Sequence, residues 1–216
     1  MSRTILLKQV GCKTDLGRAS KMPCATYSLP AQACKVGQAL AKIPGSVCHG
    51  CYADGRGNYR WESVQQALYR RLASVWTAQW AASMATLIRQ EGNRYFRWHD
   101  SGDLQSLSHL IKINMVAHAC PDVKFWLPTR ETGIVSEFMR RFGEWLAPNL
   151  IIRLSATMIN ATKAPEIAGL PVSFVHTGVA ARVKGTKVCP APKQDGHCGE
   201  CRNCWNPSVN VSYHKH

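Results

Sequence analysis

Residues 95–131 read YFRWHDSGDLQSLSHLIKINMVAHACPDVKFWLPTRE, an alternating run, a helical run and a second alternating run in unbroken succession. Tyr95–Trp98 reads as a strand that ends in HDSGD. Leu104–Ala119 then sets Leu107, Leu110/Ile111 and Met115 at steps of three and four, a helix for which Asp103 is the expected N-cap. Val123–Leu127 is the next strand, followed by Thr129, Arg130 and Glu131.

Outward from this stretch the pattern repeats. Ile134–Leu146 is helical, with Val135, Phe138 and Phe142 on one face. Leu150–Leu154 is a strand ending in SAT, and Val172–Val175 another, followed by His176 and Thr177. On the other side, apolar positions from Val64 to Ile88 predict one long amphipathic helix over 62–90. Residues 1–33 lack periodicity and read as a loop or an extended nucleic-acid arm. The stretch to residue 61 is also loop-like, broken by Pro23, Pro30, Pro44 and Gly45. Strand–helix alternation implies an α/β fold with a parallel sheet, open or barrel-like, whose ligands bind at the carboxyl ends of the strands. The polar clusters of the core sit there: His99, Asp100, Ser101 and Asp103; Thr129, Arg130 and Glu131; Ser155 and Thr157; His176 and Thr177. The expected organisation is a Cys-rich segment over 1–61, an α/β core over 62–180 and a basic Cys-rich segment over 181–216.

Apolar residues make up 45% of the 216, enough for a core, and no apolar run is long enough for a membrane span. The N-terminus lacks the apolar stretch of a signal peptide, so the expectation is a cytoplasmic protein. Basic residues outnumber acidic ones 27 to 13, a net +14. They flank the core as Arg3, Lys8, Lys13, Arg18 and Lys21, then Arg182, Lys184, Lys187, Lys193 and Arg202. A field of that sign attracts a polyanion, and nucleic acid or a nucleotide is the expected partner.

Ten cysteines in a reducing compartment point to metal rather than disulfides. Cys198, Cys201 and Cys204 stand at two-residue intervals, with Cys189 available as a fourth. That spacing resembles ferredoxin-type runs more than the separated pairs of structural zinc, with zinc the alternative and His197 a substitute ligand. Cys34, Cys48 and Cys51 form a second set without an obvious fourth; Cys24 is the candidate to close it and His49 a weaker one. Cys12 and Cys120 are expected to be unliganded, Cys120 buried.

The segments SLPAQACKVGQALAKIPGSVCHGCYA, FRWHDSGDLQSLSHL, FWLPTRE, NLIIRLSAT and CGECRNCW resemble the phage gene product eighty-eight family, over roughly residues 20–205. More distantly, the layout is similar to the radical S-adenosylmethionine superfamily. That similarity implies a partial parallel (βα) barrel with Cys-rich, metal-stapled N- and C-terminal segments. It implies a 4Fe-4S cluster on Cys34, Cys48 and Cys51, with Tyr52 beside it and one iron free for S-adenosyl-L-methionine. Ser101, Gly102 and Asp103 would meet the methionine amino group, and Ser155 and Arg153 the ribose or carboxylate. Cys189, Cys198, Cys201 and Cys204 would hold a second cluster or zinc. In this chain thirteen residues separate Cys34 from Cys48, and Gly50 stands where the superfamily has an aromatic.

Two functions are therefore expected in competition. The first is an iron–sulfur enzyme, radical S-adenosylmethionine-like, acting on a nucleic acid or nucleotide, with His99, Asp100, Arg130, Glu131 and His176 as substrate or proton-transfer groups. The alternative is a non-catalytic, metal-stapled phage protein that binds nucleic acid or a host factor. A zinc hydrolase or deaminase stands third, because no H-x-E motif accompanies His49.

Overall fold

The computed structural model describes residues 1–20, 22–167 and 169–215; Lys21, counted above among the basic residues, lies outside them. The elements are α1 (Arg3–Gln9), β1 (Gly17–Arg18), β2 (Ala25–Tyr27), α2 (Lys35–Ala41), α3 (Glu62–Ser74), α4 (Trp80–Gln90), β3 (Tyr95–Trp98), α5 (Leu107–Ala119), β4 (Lys124–Thr129), α6 (Thr132–Phe142), β5 (Leu150–Ile159), β6 (Val172–His176), β7 (Lys187–Val188) and β8 (Val211–His214). They form a mixed α/β fold on an eight-stranded sheet in the order β1-β2-β3-β4-β5-β6-β8-β7. Every neighbouring pair is parallel except β1–β2.

The order follows the chain almost strictly. Right-handed crossovers that always step the same way put their helices on one face, and α1, α4, α5 and α6 do pack side by side. Strand alternation sorts the side chains. Phe96, Trp98, Phe125, Leu127, Ile152 and Leu154 face the helices, among Trp80, Met84, Leu87, Leu110, Ile113, Val135 and Phe138. Each such side chain contributes roughly 1.5–3 kcal/mol through burial. The opposite face carries Tyr95, Trp126 and Tyr213, covered by Cys24, Met22, Trp205 and Cys204. Both faces of β5 are therefore buried, which accounts for its unbroken apolar run.

Several expectations are corrected. The helix over 62–90 is two helices, broken at 75–79. Ser74 and Thr77 hydroxyls turn back onto the carbonyls of Arg71 and Ser74 at 2.7 and 2.9 Å, and Lys112 Nζ donates to the freed carbonyls of Val75 and Thr77 at 2.7 and 2.9 Å. Asp103 is not the cap of α5; Ser106 is, accepting from His109 N at 3.2 Å.

Residues 1–33 are not a free arm. α1 buries Leu6 and Leu7 against α4, and Arg3 bridges Asp15 at 2.6 Å and Glu91 at 2.7 Å. Arg18 reaches the same Glu91 at 2.6 Å, so neither arginine adds a free charge to the basic field. β2 and β8 lie outside the expected core span of 62–180 yet are integral strands of its sheet. Among the described residues no helix is long and apolar enough to cross a membrane.

Candidate functional site

Two separate ties bring the segments of Cys34 and Cys48 together, and Cys51 follows Cys48 in a turn, its N–H on Cys48 O at 3.1 Å. Cys34 precedes α2, whose Val36 N–H donates to Glu131 Oε1 at 2.8 Å, linking it to the end of β4. The loop carrying Cys48 is pinned along the end of β5: Val47 N donates to Thr157 O and Ile159 N to Gly45 O, both at 2.9 Å, with Ser46 bridged to Met158. Gly37 makes the approach possible. A Cβ there would stand 3.6 Å from Cys34 Sγ and 3.8 Å from Cys48 Sγ, and only 2.8 Å from Cys34 Cβ. Burial pushes the Cys34 thiol up, and the nearby Asp103, Cys48, Cys51 and Glu131 push it further. Cys48 is raised by burial and drawn back by Arg130. Among the described residues no three His, Cys, Asp or Glu side chains stand closed around one metal position.

The strand-end residues divide into those that build the loops and those with capacity to spare. Asp103 is fully enclosed and accepts from Thr129 Oγ1 (2.6 Å), Leu104 N (2.7 Å) and Arg130 N (2.9 Å). Burial outweighs those bonds and raises its carboxyl to about 6. Ser101 Oγ donates to Leu29 O at 2.9 Å. Gly102, at φ +78°, lies so close to Leu29 that a Cβ would sit 2.6 Å from its Cβ and 2.7 Å from its carbonyl oxygen. Its freedom from a side chain is needed for the loop itself. Tyr52 donates to the Asp100 carbonyl, and Tyr59 Oη to Asp100 Oδ2 at 3.3 Å. Arg130 Nε reaches Ala156 O at 3.4 Å, and Ser155 and Ser173 hydroxyls meet at 3.2 Å. Glu131 Oε2 accepts no hydrogen bond from the described residues.

His99 has φ +53° and turns its ring onto His109 of α5, centroids 5.4 Å apart, with neither of its ring nitrogens hydrogen-bonded. Burial, then the Arg97 charge, lowers it to about 3, so it is neutral. His176 is held at the end of the interior strand β6: Arg182 Nε donates to its Nε2 at 3.1 Å, so Nδ1 carries the proton and donates to Tyr213 O at 2.7 Å.

Arg153, expected on the similarity to contact a ribose or carboxylate, has another task. Its guanidinium is fully buried and donates to the carbonyls of Val209 (2.8 Å), Asn206 (2.9 Å), Val172 and Asn203 (both 3.1 Å) and Cys204 (3.4 Å). It therefore clamps the C-terminal loop onto β5.

Cys24 also changes allegiance. Expected to complete the N-terminal set, it packs instead with Trp126, Trp205 and Cys204, and the neighbouring Cys198 adds to the burial that pushes its thiol up to about 12. Cys204 Sγ lies 3.2 Å from Tyr213 Oη and is pushed up to about 11, chiefly by burial. Cys198 Sγ lies 3.6 Å from Met22 Sδ. Cys189, at the end of β7, is held by its N–H on Ser212 O at 2.9 Å, close enough to Cys201 to be raised by it after burial. Cys24, Cys189, Cys198, Cys201 and Cys204 thus lie in one neighbourhood, and the N-terminal set remains three. Cys12 and Cys120 are both buried, Cys120 as expected.

Sequence reasoning missed Arg71, Arg97 and Tyr59, which with Tyr52 and Asp100 line a cleft of about 550 Å³ beside β2 and β3. A charged residue at an inward-facing place in the aromatic strand YFRW was the available signal.

A family model described as "Gene product 88" matches residues 4–213. No curated protein and no solved structure matches the chain.

Proposed function

The chain belongs to the gene product 88 family, and on that premise we propose that it is an iron–sulfur enzyme of radical S-adenosylmethionine type acting on a nucleotide or nucleic acid. One observation carries the proposal: Cys34, Cys48 and Cys51 lie near one another after the first parallel strand, on segments tied to the carboxyl ends of β4 and β5, while Cys24 is withdrawn to the other set. We read the sequential parallel strands β2, β3, β4, β5, β6 and β8 as a partial barrel, in which that end is where ligands bind.

The donor set fits. Soft thiols select iron–sulfur or zinc, and a three-thiol set leaves one coordination position open, unlike a closed structural site. Cys34, Cys48 and Cys51 would hold a 4Fe-4S cluster, which would supply one-electron reduction to a bound S-adenosyl-L-methionine. The protein's own groups supply the frame. Asp103 and Gly102 fix the loop after β3 against β4 and Leu29, Arg130 places a cation beside Cys48, and Glu131 Oε2 offers an acceptor to an ammonium group near Cys34. The five-thiol set, clamped by Arg153 and capped by Trp205, is read as a structural staple holding a second cluster or zinc.

Anaerobic reconstitution followed by iron and sulfide analysis tests this, with reductive cleavage of S-adenosyl-L-methionine as the readout. Wild-type protein should bind iron and sulfide and release methionine and 5′-deoxyadenosine; Cys48→Ala/Cys51→Ala should do neither at the N-terminal site. Zinc without iron, or clusters without cleavage, would sink the catalytic reading in favour of a metal-stapled binding protein.

A further inference from the structure

We propose that the cleft between β1, β2, β3 and α3 binds a nucleoside monophosphate, with its phosphate held by Arg71 and Arg97. Arg97 lies on the non-helical face of β3, its guanidinium carbon 4.6 Å over the Trp126 ring; Arg71 comes from the last turn of α3, 5.7 Å from the Tyr27 ring centroid. Both line the cleft, together with Thr26 and Ser28, which are 1% and 4% exposed. Thr26 stands directly beside Arg97 in the parallel register of β2 and β3. Gly17 keeps the wall open, since a Cβ there would meet Thr26 Oγ1 at 2.9 Å and Arg71 Nη1 at 3.6 Å.

The charges are unbalanced in a specific way. Among the described residues no carboxylate lies within ion-pair distance of Arg71 or Arg97, whereas Arg18 on the same rim is already paired with Glu91 and Asp15. Arg97 donates only to the Met22 thioether, at 3.8 Å, and its Nε and that of Arg71 are buried without acceptors. Half-buried guanidinium groups whose neighbours are aromatic rings and sulfur rather than an anion hold a desolvation cost that a dianion relieves. Two forks and two hydroxyls on one wall suit the tetrahedral oxygens of a phosphate better than a planar carboxylate.

The rest of the cleft suits a nucleoside. Tyr52 and Tyr59 meet edge to face at 5.8 Å, and the Tyr52 ring, in a residue 59% exposed, offers an aromatic surface to a base. Asp100 lines the same cleft, and its buried Oδ1, which accepts no hydrogen bond, would take a ribose hydroxyl once the ligand is seated. A volume of about 550 Å³ suits a mononucleotide and excludes a duplex. Tyr52 is the chain neighbour of Cys51, so the cleft borders the segment that carries the N-terminal thiols. That connection rests on the function proposed above, but binding does not require the cluster.

Calorimetric titration of the full-length protein with nucleoside 5′-monophosphates and the matching nucleosides tests the assignment. At least one monophosphate should bind about tenfold or more tighter than its nucleoside, and Arg71→Met and Arg97→Met should each remove about tenfold to a hundredfold of that affinity. Arg141→Met, on the exposed face of α6, should leave it unchanged. Arg97→Lys keeps the charge, so if Arg97→Met fails to fold, Arg97→Lys with Arg71→Met carries the test. Binding should persist in Cys48→Ala/Cys51→Ala, so failure of S-adenosyl-L-methionine cleavage leaves this result standing. Equal affinity for nucleotide and nucleoside, no binding, or equal weakening by Arg141→Met would overturn the proposal. Displacement of the nucleotide by an oligonucleotide without terminal phosphates, at equal affinity, would also overturn it and assign the cleft to nucleic acid.

Discussion

Replacing Arg153 by Met should release the C-terminal loop from the sheet. Five carbonyl oxygens depend on this guanidinium, four of them at 2.8–3.1 Å. A hydrogen bond from a charged donor is worth about 1.5–3 kcal/mol. The losses are not additive, because a loosened loop rehydrates some of its carbonyls, and Nε already lacks a partner in the native state. Leaving a buried carbonyl without its donor costs about 1–3 kcal/mol, and with part of the five rehydrated a destabilisation of about 3–5 kcal/mol is expected here. Small domains hold only about 5–15 kcal/mol in total, so the variant should fold marginally.

Urea unfolding followed by tryptophan fluorescence reports this, because Trp205 packs edge-on to Trp126 at 5.4 Å and is lost first with the loop. Limited proteolysis should cut between residues 189 and 210 before the core opens. Arg153→Lys, with one compact ammonium in place of a fork, should recover less than half of the loss. Unfolding within about 1 kcal/mol of wild type, with the loop equally protected, would refute the clamp. It would return Arg153 to the ligand role implied by the superfamily.

Gly102→Ala should cost about 2–4 kcal/mol in the same assay, from its left-handed backbone and the clash with Leu29; a normal melt with weakened ligand binding would show a direct ligand contact instead. Gly37→Ala lies in a helix, where alanine ordinarily stabilises by about 0.5–1 kcal/mol, yet its Cβ would stand 2.8 Å from that of Cys34. Iron retained at the N-terminal site should fall, and a variant that is more stable with full iron would contradict the packing described. His99 is depressed from 6.5 to about 3, so its neutral form contributes stability that is complete above pH 6.5 and is lost as the pH falls through the folded value. His99→Asn, which tolerates the positive φ, should flatten the acid limb of stability against pH by up to about 1.4 kcal/mol per unit, and an unchanged slope would refute the burial argument.

The periodic core was legible in the chain. β3, β4, β5 and β6, the helices between them and the polar residues at their ends follow from local alternation and from steps of three and four, which a side chain obeys whatever its distant partners. The two cysteine groups were visible as local spacings, but Cys24 was not, because its neighbours come from the far end of the chain. The three-residue β2 and the C-terminal β8 were not, because runs so short carry no periodicity, and they became strands only through neighbours far away in sequence. The break between α3 and α4 depends on Lys112 arriving from another helix. Which sulfurs face each other, what Arg153 holds, and the convergence of Arg71 with Arg97 were decided by strand order and by the path of the C-terminal loop over the sheet. Sequence dictates how each segment buries its apolar face; the partners of a buried charge or thiol are set by which segments that burial brings together.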